Sequence, residues 1–392
     1  MPLDGTLPGS ALAELPERSF SVYLHVPFCR SRCGYCDFNT YTASELWGMS
    51  TGDYLTAALR EIDLAARVLG DGTPEADTVF VGGGTPTMLP AGELSRLLDA
   101  VRERFGLARD AEITTEANPE TVTPEYLGRL RESGFTRISL GMQSAVPHVL
   151  EVLERAHTPG RGLEAAHWAR QAGFEHVSLD LIFGTPGEST TDWEESLEAV
   201  AAAPVDHVSA YSLIVEQGTR LAMRVRRGEV PMPDDDELAE KYLVTEQHLT
   251  ALGFSNYETS NWARGQAARC RHNLAYWRGG NWWGIGPGAH SHIGGVRFWN
   301  RKHPRSYAAA LADGHTPAQG REVLSPEDRR VERVMLELRL AEGLPLGALT
   351  ETESARVDGI VAEGLGVVSE GRLALTLRGR LLADGVVLRL LD

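Results

Sequence analysis

The chain has 392 residues, 42% hydrophobic and 23% charged, enough for one large and one or two smaller globular units with a sizeable buried core. Its formal net charge of −16 excludes nonspecific nucleic-acid binding, which needs clustered Lys and Arg. No apolar run nears the roughly 20 residues that cross a bilayer, and the first 18 residues lack the cationic start and apolar centre of a signal peptide, so a cytoplasmic protein with no transmembrane segment is expected.

Residues 1–19 read as an N-terminal extension. Six apolar, β-branched runs follow, at 21–27, 78–84, 112–119, 137–143, 176–184 and 207–214. Amphipathic helix patterns separate them, at 53–69, 91–105, 124–132, 161–172 and 191–202, and one at 237–252 closes the series. Strands alternating with helices specify parallel βαβ units. Their near-continuous apolar character fits strands covered on both faces. Six units are too few for a closed eight-fold barrel, and on pattern alone an open (βα)6 barrel and a doubly wound sheet both remain.

The polar residues favour the barrel. A cysteine loop follows the first run, Gly82, Gly83 and Gly84 end the second, and Glu116 and Asn118 end the third. Gln143 ends the fourth, Asp180 lies within the fifth and Tyr211 within the sixth. Chemistry at the C-terminal end of every strand suits one central site. The expected fold class is therefore α/β, a partial (βα)6 TIM-like barrel over 20–255. Beyond it, 256–324 is rich in Trp, Asn, Gly and His with little periodicity, and reads as an irregular connector. A helix pattern returns at 326–341, followed by a shorter element at 349–363 and strand-like runs at 367–368, 373–375, 378–382 and 386–391. The segment 325–392 is expected to be a small α+β domain of winged-helix character.

Three of the four cysteines fall in His25-Val-Pro-Phe-Cys29-Arg-Ser-Arg-Cys33-Gly-Tyr-Cys36-Asp-Phe38. A secreted disulfide framework would use more cysteines and space them out, so the cluster points to metal. Structural zinc sites prefer paired Cys-x2-Cys knuckles, and no second knuckle exists. Iron–sulfur clusters usually take four thiolates. Three from one loop leave one iron open, and an open metal position binds a small chelating molecule. Cys270, far away in sequence, reads as a buried or idle thiol rather than a fourth ligand.

Cys-x3-Cys-x2-Cys, with Tyr35 before the third cysteine, resembles the signature of the radical S-adenosylmethionine (radical SAM) superfamily. Tyr23-Leu-His-Val-Pro-Phe-Cys29, the Gly-Gly-Gly-Thr-Pro-Thr run at 82–87, Gly141-Met-Gln-Ser144 and Asp180-Leu-Ile-Phe-Gly184 resemble the oxygen-independent coproporphyrinogen dehydrogenase family. This resemblance covers nearly the whole chain. Two features point to the heme-chaperone branch. The dehydrogenases carry a further cysteine two places after the third, where this chain has Phe38, and His272-Asn-Leu-Ala-Tyr276-Trp277 matches the His-Asn-x-x-Tyr-Trp motif of heme-binding members.

The resemblance implies a [4Fe–4S] cluster on Cys29, Cys33 and Cys36, with SAM on its open iron through amine and carboxylate. It implies SAM contacts at Tyr23, Tyr35, Gly83, Gly84, Thr85, Glu116, Gln143, Arg155 and Asp180. The residue types suit this. Glycines let backbone approach a ligand, carboxylates at apolar strand ends seek partners such as ribose hydroxyls, Gln143 both donates and accepts, and Arg155 can fork onto a carboxylate. Heme contacts are expected at His272, Tyr276 and Trp277, with His290 and His292 as further candidate ligands and Trp282, Trp283, Phe298 and Trp299 as a stacking set or a domain filling. His25 is expected beside the cluster. The Gly-Ile-Gly-Pro-Gly-Ala-His run at 284–290 is no phosphate loop, having neither Lys nor βα context. The implied function is to bind heme and pass it to acceptor proteins. Oxidative decarboxylation of coproporphyrinogen III is the alternative, and radical methyl transfer a third.

Overall fold

In the computed structural model, which describes residues 1–391 apart from Trp47, Ala156 and His157, six parallel strands occupy the positions the apolar runs require. They are β1 (Phe20–Val26), β2 (Ala76–Gly83), β3 (Leu107–Ala117), β4 (Arg137–Gln143), β5 (His176–Phe183) and β6 (His207–Ser212), and they pair in chain order. Three of the helices between them start at side-chain caps, the one at Pro124–Ser133 on Thr123. Ser50 with Asp53 and Ser189 with Asp192 form reciprocal capping boxes at Thr51–Leu69 and Thr190–Ala202.

Register explains why these strands are not uniformly apolar. Val22, Leu24, Val79, Val81, Ile138, Leu140, Val177, Leu179 and Val208 alternate onto one face and are buried. Burying each such side chain is worth about 1.5–3 kcal/mol. The other face carries Tyr23 opposite Phe80, Phe80 opposite Thr114, Glu116 opposite Ser139, Ser139 opposite Ser178, and Asp180 opposite Ser209. Side chains from all six strands line one chamber, so the sheet curls with its polar face inward. The expectation of strands covered on both faces by apolar packing is corrected to this alternation.

The segment 256–324 is not an irregular connector. It adds β7 (Ser255–Glu258), β8 (Asn261–Ala263), β9 (Asn281–Ile285), β10 (His290–Ile293), β11 (Val296–Asn300) and β12 (Ala318–Val323), extending the same sheet at both ends in the order β12-β11-β10-β9-β1-β2-β3-β4-β5-β6-β8-β7. β9 runs parallel to β1 and β8 antiparallel to β6. These strands are three to six residues long, too short for a period to stand out, and tertiary pairing rather than pattern defines them.

The C-terminal unit has its own core around Val334, Leu338, Ile360, Leu373 and Leu390. Helices Pro326–Glu337 and Glu351–Ala362 are followed by the hairpin of β14 (Gly366–Ser369) and β15 (Arg372–Leu375), and β15 also pairs with β13 (Leu344–Pro345). That layout is winged-helix-like. The runs read as strands at 378–382 and 386–391 are instead the helices Leu377–Leu381 and Ala383–Leu391, because Val386, Val387 and Leu390 share one helical face in the core.

Candidate functional site

The C-terminal ends of β1 to β6 open onto a cleft of about 900 Å³. The cysteine loop forms one wall. It is closed at its base, where Cys29 N–H donates to the Tyr41 carbonyl (3.1 Å) and Tyr41 N–H to that of Pro27 (2.7 Å). Its middle is tied across the cleft: Gly34 N–H donates to Leu153 O (3.0 Å), and Leu221 N–H donates to Gly34 O (2.8 Å). Cys29, Cys33 and Cys36 are all partly exposed and all line the cleft.

The glycine run at the end of β2 is dictated by close approach. A Cβ on Gly84 would lie 2.6 Å from Phe28 O and 3.0 Å from Cys29 Sγ, while Gly83 has φ of +114°. Thr85 N–H donates to Phe28 O (2.8 Å), and its Oγ1 lies 3.8 Å from Cys29 Sγ. Arg155 donates one nitrogen to Cys33 Sγ (3.4 Å) and another to Gly141 O (3.0 Å). Gly141 leaves room for this, because a Cβ there would sit 2.9 Å from Gln143 Nε2 and 3.0 Å from Arg155 Nη2. Gln143 has φ of +69° where β4 bulges against β5, a left-handed conformation uncommon outside glycine.

Two carboxylates stand on the inner face below the thiols. Glu116 accepts from Gly83 N–H (3.0 Å), and Ser139 Oγ bridges both oxygens of Asp180 (2.8 and 2.9 Å). Burial, and then the charge of Asp180, pushes Glu116 up to about 8, and burial also raises Asp180. Burial lifts the thiol of Cys36 to about 11 and raises Cys29. Cys29 and Cys36 are therefore held toward the neutral thiol, and metal binding at these two would release protons. Burial works against the Arg155 charge, but the neighbouring Tyr35 and Cys33 outweigh it and hold its pKa up.

These residues fit a cluster with one open position. Among the described residues no three His, Cys, Asp or Glu side chains are set to hold a single metal ion, the triad included. A cubane asks something different, one thiolate for each of three irons. The glycine cradle beside Cys29 leaves backbone space, and Arg155, Gln143, Glu116 and Asp180 offer a carboxylate partner and hydroxyl acceptors in the same cleft. Tyr35, Gly83, Gly84, Thr85, Glu116, Gln143, Arg155 and Asp180 all line it. Tyr23 does not. It lies mid-strand, opposite Phe80, with its hydroxyl 3.1 Å from His25 Nδ1, and lines a second chamber of about 310 Å³ beneath the cleft. That chamber adjoins the cleft, since Glu116, Ser139, Asp180 and Tyr211 line both.

The expected heme set is also placed elsewhere. His272 and Tyr276 lie on the helix Arg271–Trp277, against the opposite end of the strands. His272 Nδ1 is 2.7 Å from Thr78 Oγ1, which in turn donates to Ser21 Oγ (2.9 Å), and Nε2 is 2.8 Å from the Tyr276 hydroxyl. The network assigns a neutral ring that donates from Nδ1 and accepts at Nε2. Burial depresses its pKa to about 4. Thr78 and Gly83 are five residues apart on β2, roughly 17 Å, so this ring is remote from the thiols. Trp277 is half-buried and packs against the small core cluster that contains Tyr257, Cys270 and Leu274. Both ring nitrogens of His272 are taken, and His272, Asn273 and Tyr276 line the inner end of the second chamber, where the His-Asn-x-x-Tyr-Trp helix acts as a plug in the barrel floor.

The stacking set is mostly interior. Trp283 and Phe298 are buried edge to face at 4.9 Å, and Trp282 packs on Tyr276 (4.6 Å). His292 Nδ1 bonds Gly280 O, and exposed His290 stacks on Trp299. The plug helix is anchored by a group the sequence reading passed over. Buried Glu112 accepts from the backbone N–H of Arg271 (3.1 Å) and of His272 (3.0 Å), from Arg137 Nε (3.1 Å) and from Cys270 Sγ (3.4 Å). A charged residue opening each of two apolar runs was the available signal. Glu61, on Thr51–Leu69, was missed as well. It accepts from Gly286 N–H (2.7 Å), Asn300 (2.7 Å) and Tyr307 (2.5 Å). The 284–290 run it holds buttresses the cysteine loop, since Asn39 donates to Pro287 O (2.9 Å) and its carbonyl meets His25 Nε2 (2.9 Å).

The chain matches the radical SAM superfamily over residues 23–200 and the HemN C-terminal domain over 324–382. It is similar to the heme chaperone HemW of Mycobacterium tuberculosis, 54% identical over 98% of this chain and 97% of the relative. It is 33% identical to HemW of Bacillus subtilis, over 93% of this chain and 97% of that one. The HemW of Escherichia coli is 36% identical over 83% of this chain and 84% of its own. Among solved structures, the coproporphyrinogen III oxidase HemN of Escherichia coli, described as a radical SAM enzyme, superposes with a TM-score of 0.83 at 25% identity, covering 97% of this chain and 92% of that one.

Proposed function

The chain belongs to the HemW family of radical SAM proteins, and from that premise we propose that it is a heme chaperone carrying a [4Fe–4S] cluster and SAM. Heme is bound and handed to acceptor proteins. The observation that carries this reading is the whole-length likeness to HemW relatives, 54% identical over 98% of the chain.

Cys29, Cys33 and Cys36 would hold the cluster, which when bound would supply an iron site for SAM and the electron for its reductive cleavage. Arg155 places its positive charge beside Cys33, on the cleft wall where it would attract a carboxylate. Glu116 and Asp180 accept from hydroxyls, and the Gly83–Gly84 backbone supplies the close wall. Among the described residues no helix is long and apolar enough to cross a membrane.

The likeness to HemN favours a second reading, oxidative decarboxylation of coproporphyrinogen III. Phe38, which stands where such dehydrogenases carry a cysteine, speaks against it. Anaerobically reconstituted protein supplied with SAM and a reductant decides between them. Stable stoichiometric heme binding with little or no turnover of coproporphyrinogen III is expected. Protoporphyrinogen formed over many turnovers would establish the second reading.

A further inference from the structure

The mouth of the cleft has a lip outside the residues assigned above to the cluster and SAM. Four large side chains with apolar bodies line it yet stay exposed: Phe38 at 60%, Ile214 at 65%, Tyr211 at 43% and Met88 at 36%. They come from three places in the chain: the cysteine loop, the turn after β2 and the end of β6. Scattered single apolar residues on a surface mean little, but several around one mouth mark a binding surface. Arg30 lines the same mouth, is exposed, and makes no ion pair among the described residues. The volume agrees, since about 900 Å³ lies near the top of the range for small-molecule sites.

We propose that heme binds on this lip, its macrocycle against Phe38, Met88, Ile214 and Tyr211 and its propionates turned outward toward Arg30, and not at the His272 helix. The placement rests on the heme-chaperone reading. Charge sharpens the choice of porphyrin. Asp37 and Glu216 also stand at the mouth and are exposed, so carboxylates distributed all round a ring meet like charge. Heme carries its two propionates on one edge, which a single orientation keeps clear. The exposed lip suits hand-over, because an acceptor can reach the ring without the barrel opening. It also gives Phe38 a role: an apolar contact where the dehydrogenases carry a thiol.

The test is an anaerobic hemin titration, read in the Soret band, on full-length reconstituted protein. Lip variants Phe38→Asp and Ile214→Asp, together with Arg30→Glu, are compared with Leu388→Asp. Leu388 is equally exposed (61%) but lies on the C-terminal helix Ala383–Leu391, and this variant controls for nonspecific adsorption. The lip substitutions are at exposed positions, and iron content and SAM binding check that the site is intact. The expected result is a heme affinity at least tenfold lower in both Asp variants, a smaller loss in Arg30→Glu, and no more than a twofold change in Leu388→Asp. Wild-type affinity in both Asp variants would overturn the placement while leaving the chaperone reading standing. Absence of saturable one-to-one hemin binding in the wild type would overturn the reading itself.

Discussion

Replacing His272 by Ala tests whether the His-Asn-x-x-Tyr-Trp helix is a heme site or a floor for the barrel. The ring is buried, hydrogen-bonded at both nitrogens, and stacked on Phe80 with centroids 5.0 Å apart. Truncation strands the Tyr276 hydroxyl at about 1–3 kcal/mol if no water replaces the ring, and takes a donor from Thr78, which keeps its bond to Ser21. It also leaves a cavity against Phe80. A loss of about 3–5 kcal/mol is expected, large against the 5–15 kcal/mol that holds a domain together. A second signature follows from titration. Burial lowers the folded pKa to about 4 from 6.5, so as the pH falls the unfolded chain takes up its proton first. The stabilisation that neutral His272 contributes is complete above 6.5 and is lost between 6.5 and about 4, by about 3 kcal/mol at 1.36 kcal/mol per pH unit. Urea unfolding of cluster-free protein at pH 7.5 and pH 5, wild type against His272→Ala and the milder His272→Gln, measures both effects. The acid-induced difference should shrink in both variants. A His272→Ala protein as stable as the wild type, with heme binding abolished and the pH dependence unchanged, would refute the floor assignment and restore the imidazole as a heme ligand.

Anaerobic reconstitution should give about four irons per chain, as one [4Fe–4S] centre requires. Cys29→Ala, Cys33→Ala and Cys36→Ala should each abolish the charge-transfer absorbance, whereas Cys270→Ala should keep it, since that thiol is buried against Glu112. SAM titrations by equilibrium dialysis should show roughly 10- to 150-fold weaker binding in Gln143→Ala, Arg155→Ala and Asp180→Ala, the loss of one hydrogen bond to a charged group at about 1.5–3 kcal/mol. Unchanged affinity in all three, with iron content intact, would move the SAM site elsewhere. Glu116 predicts a pH effect of opposite sign to that of His272. Its folded pKa stands near 8 against 4.5, so the folded state keeps a proton that the unfolded chain releases, and stability falls as pH rises from 4.5 toward 8. Glu116→Gln, which cannot ionise, should flatten that decline in cluster-free protein as followed by thermal unfolding, and an equal decline in both proteins would contradict it.

The sequence by itself determined the six βα units and the chemistry at their ends. Period and punctuation are local properties, so β2, β3 and β4 fell where apolar runs end at Gly82–Gly84, Glu116 and Gln143, and β5 where a run encloses Asp180. Three cysteines within eight residues constrain a metal site whatever surrounds them. Eight of the nine residues read as SAM contacts line one cleft in the structure. What only the tertiary structure decided is everything set by pairing across long separations. The strands at 255–323 are too short to announce themselves, and they exist because β1 and β6 offer open edges. Which face of β1 carries Tyr23, and at what depth, is fixed by its register with Phe80, and so Tyr23 lines the inner chamber beneath the cleft. The sequence marks His272 as unusual, but a histidine's role depends on what its two nitrogens meet. Thr78, 194 residues away, and Tyr276 take both, and no pattern along the chain records that meeting.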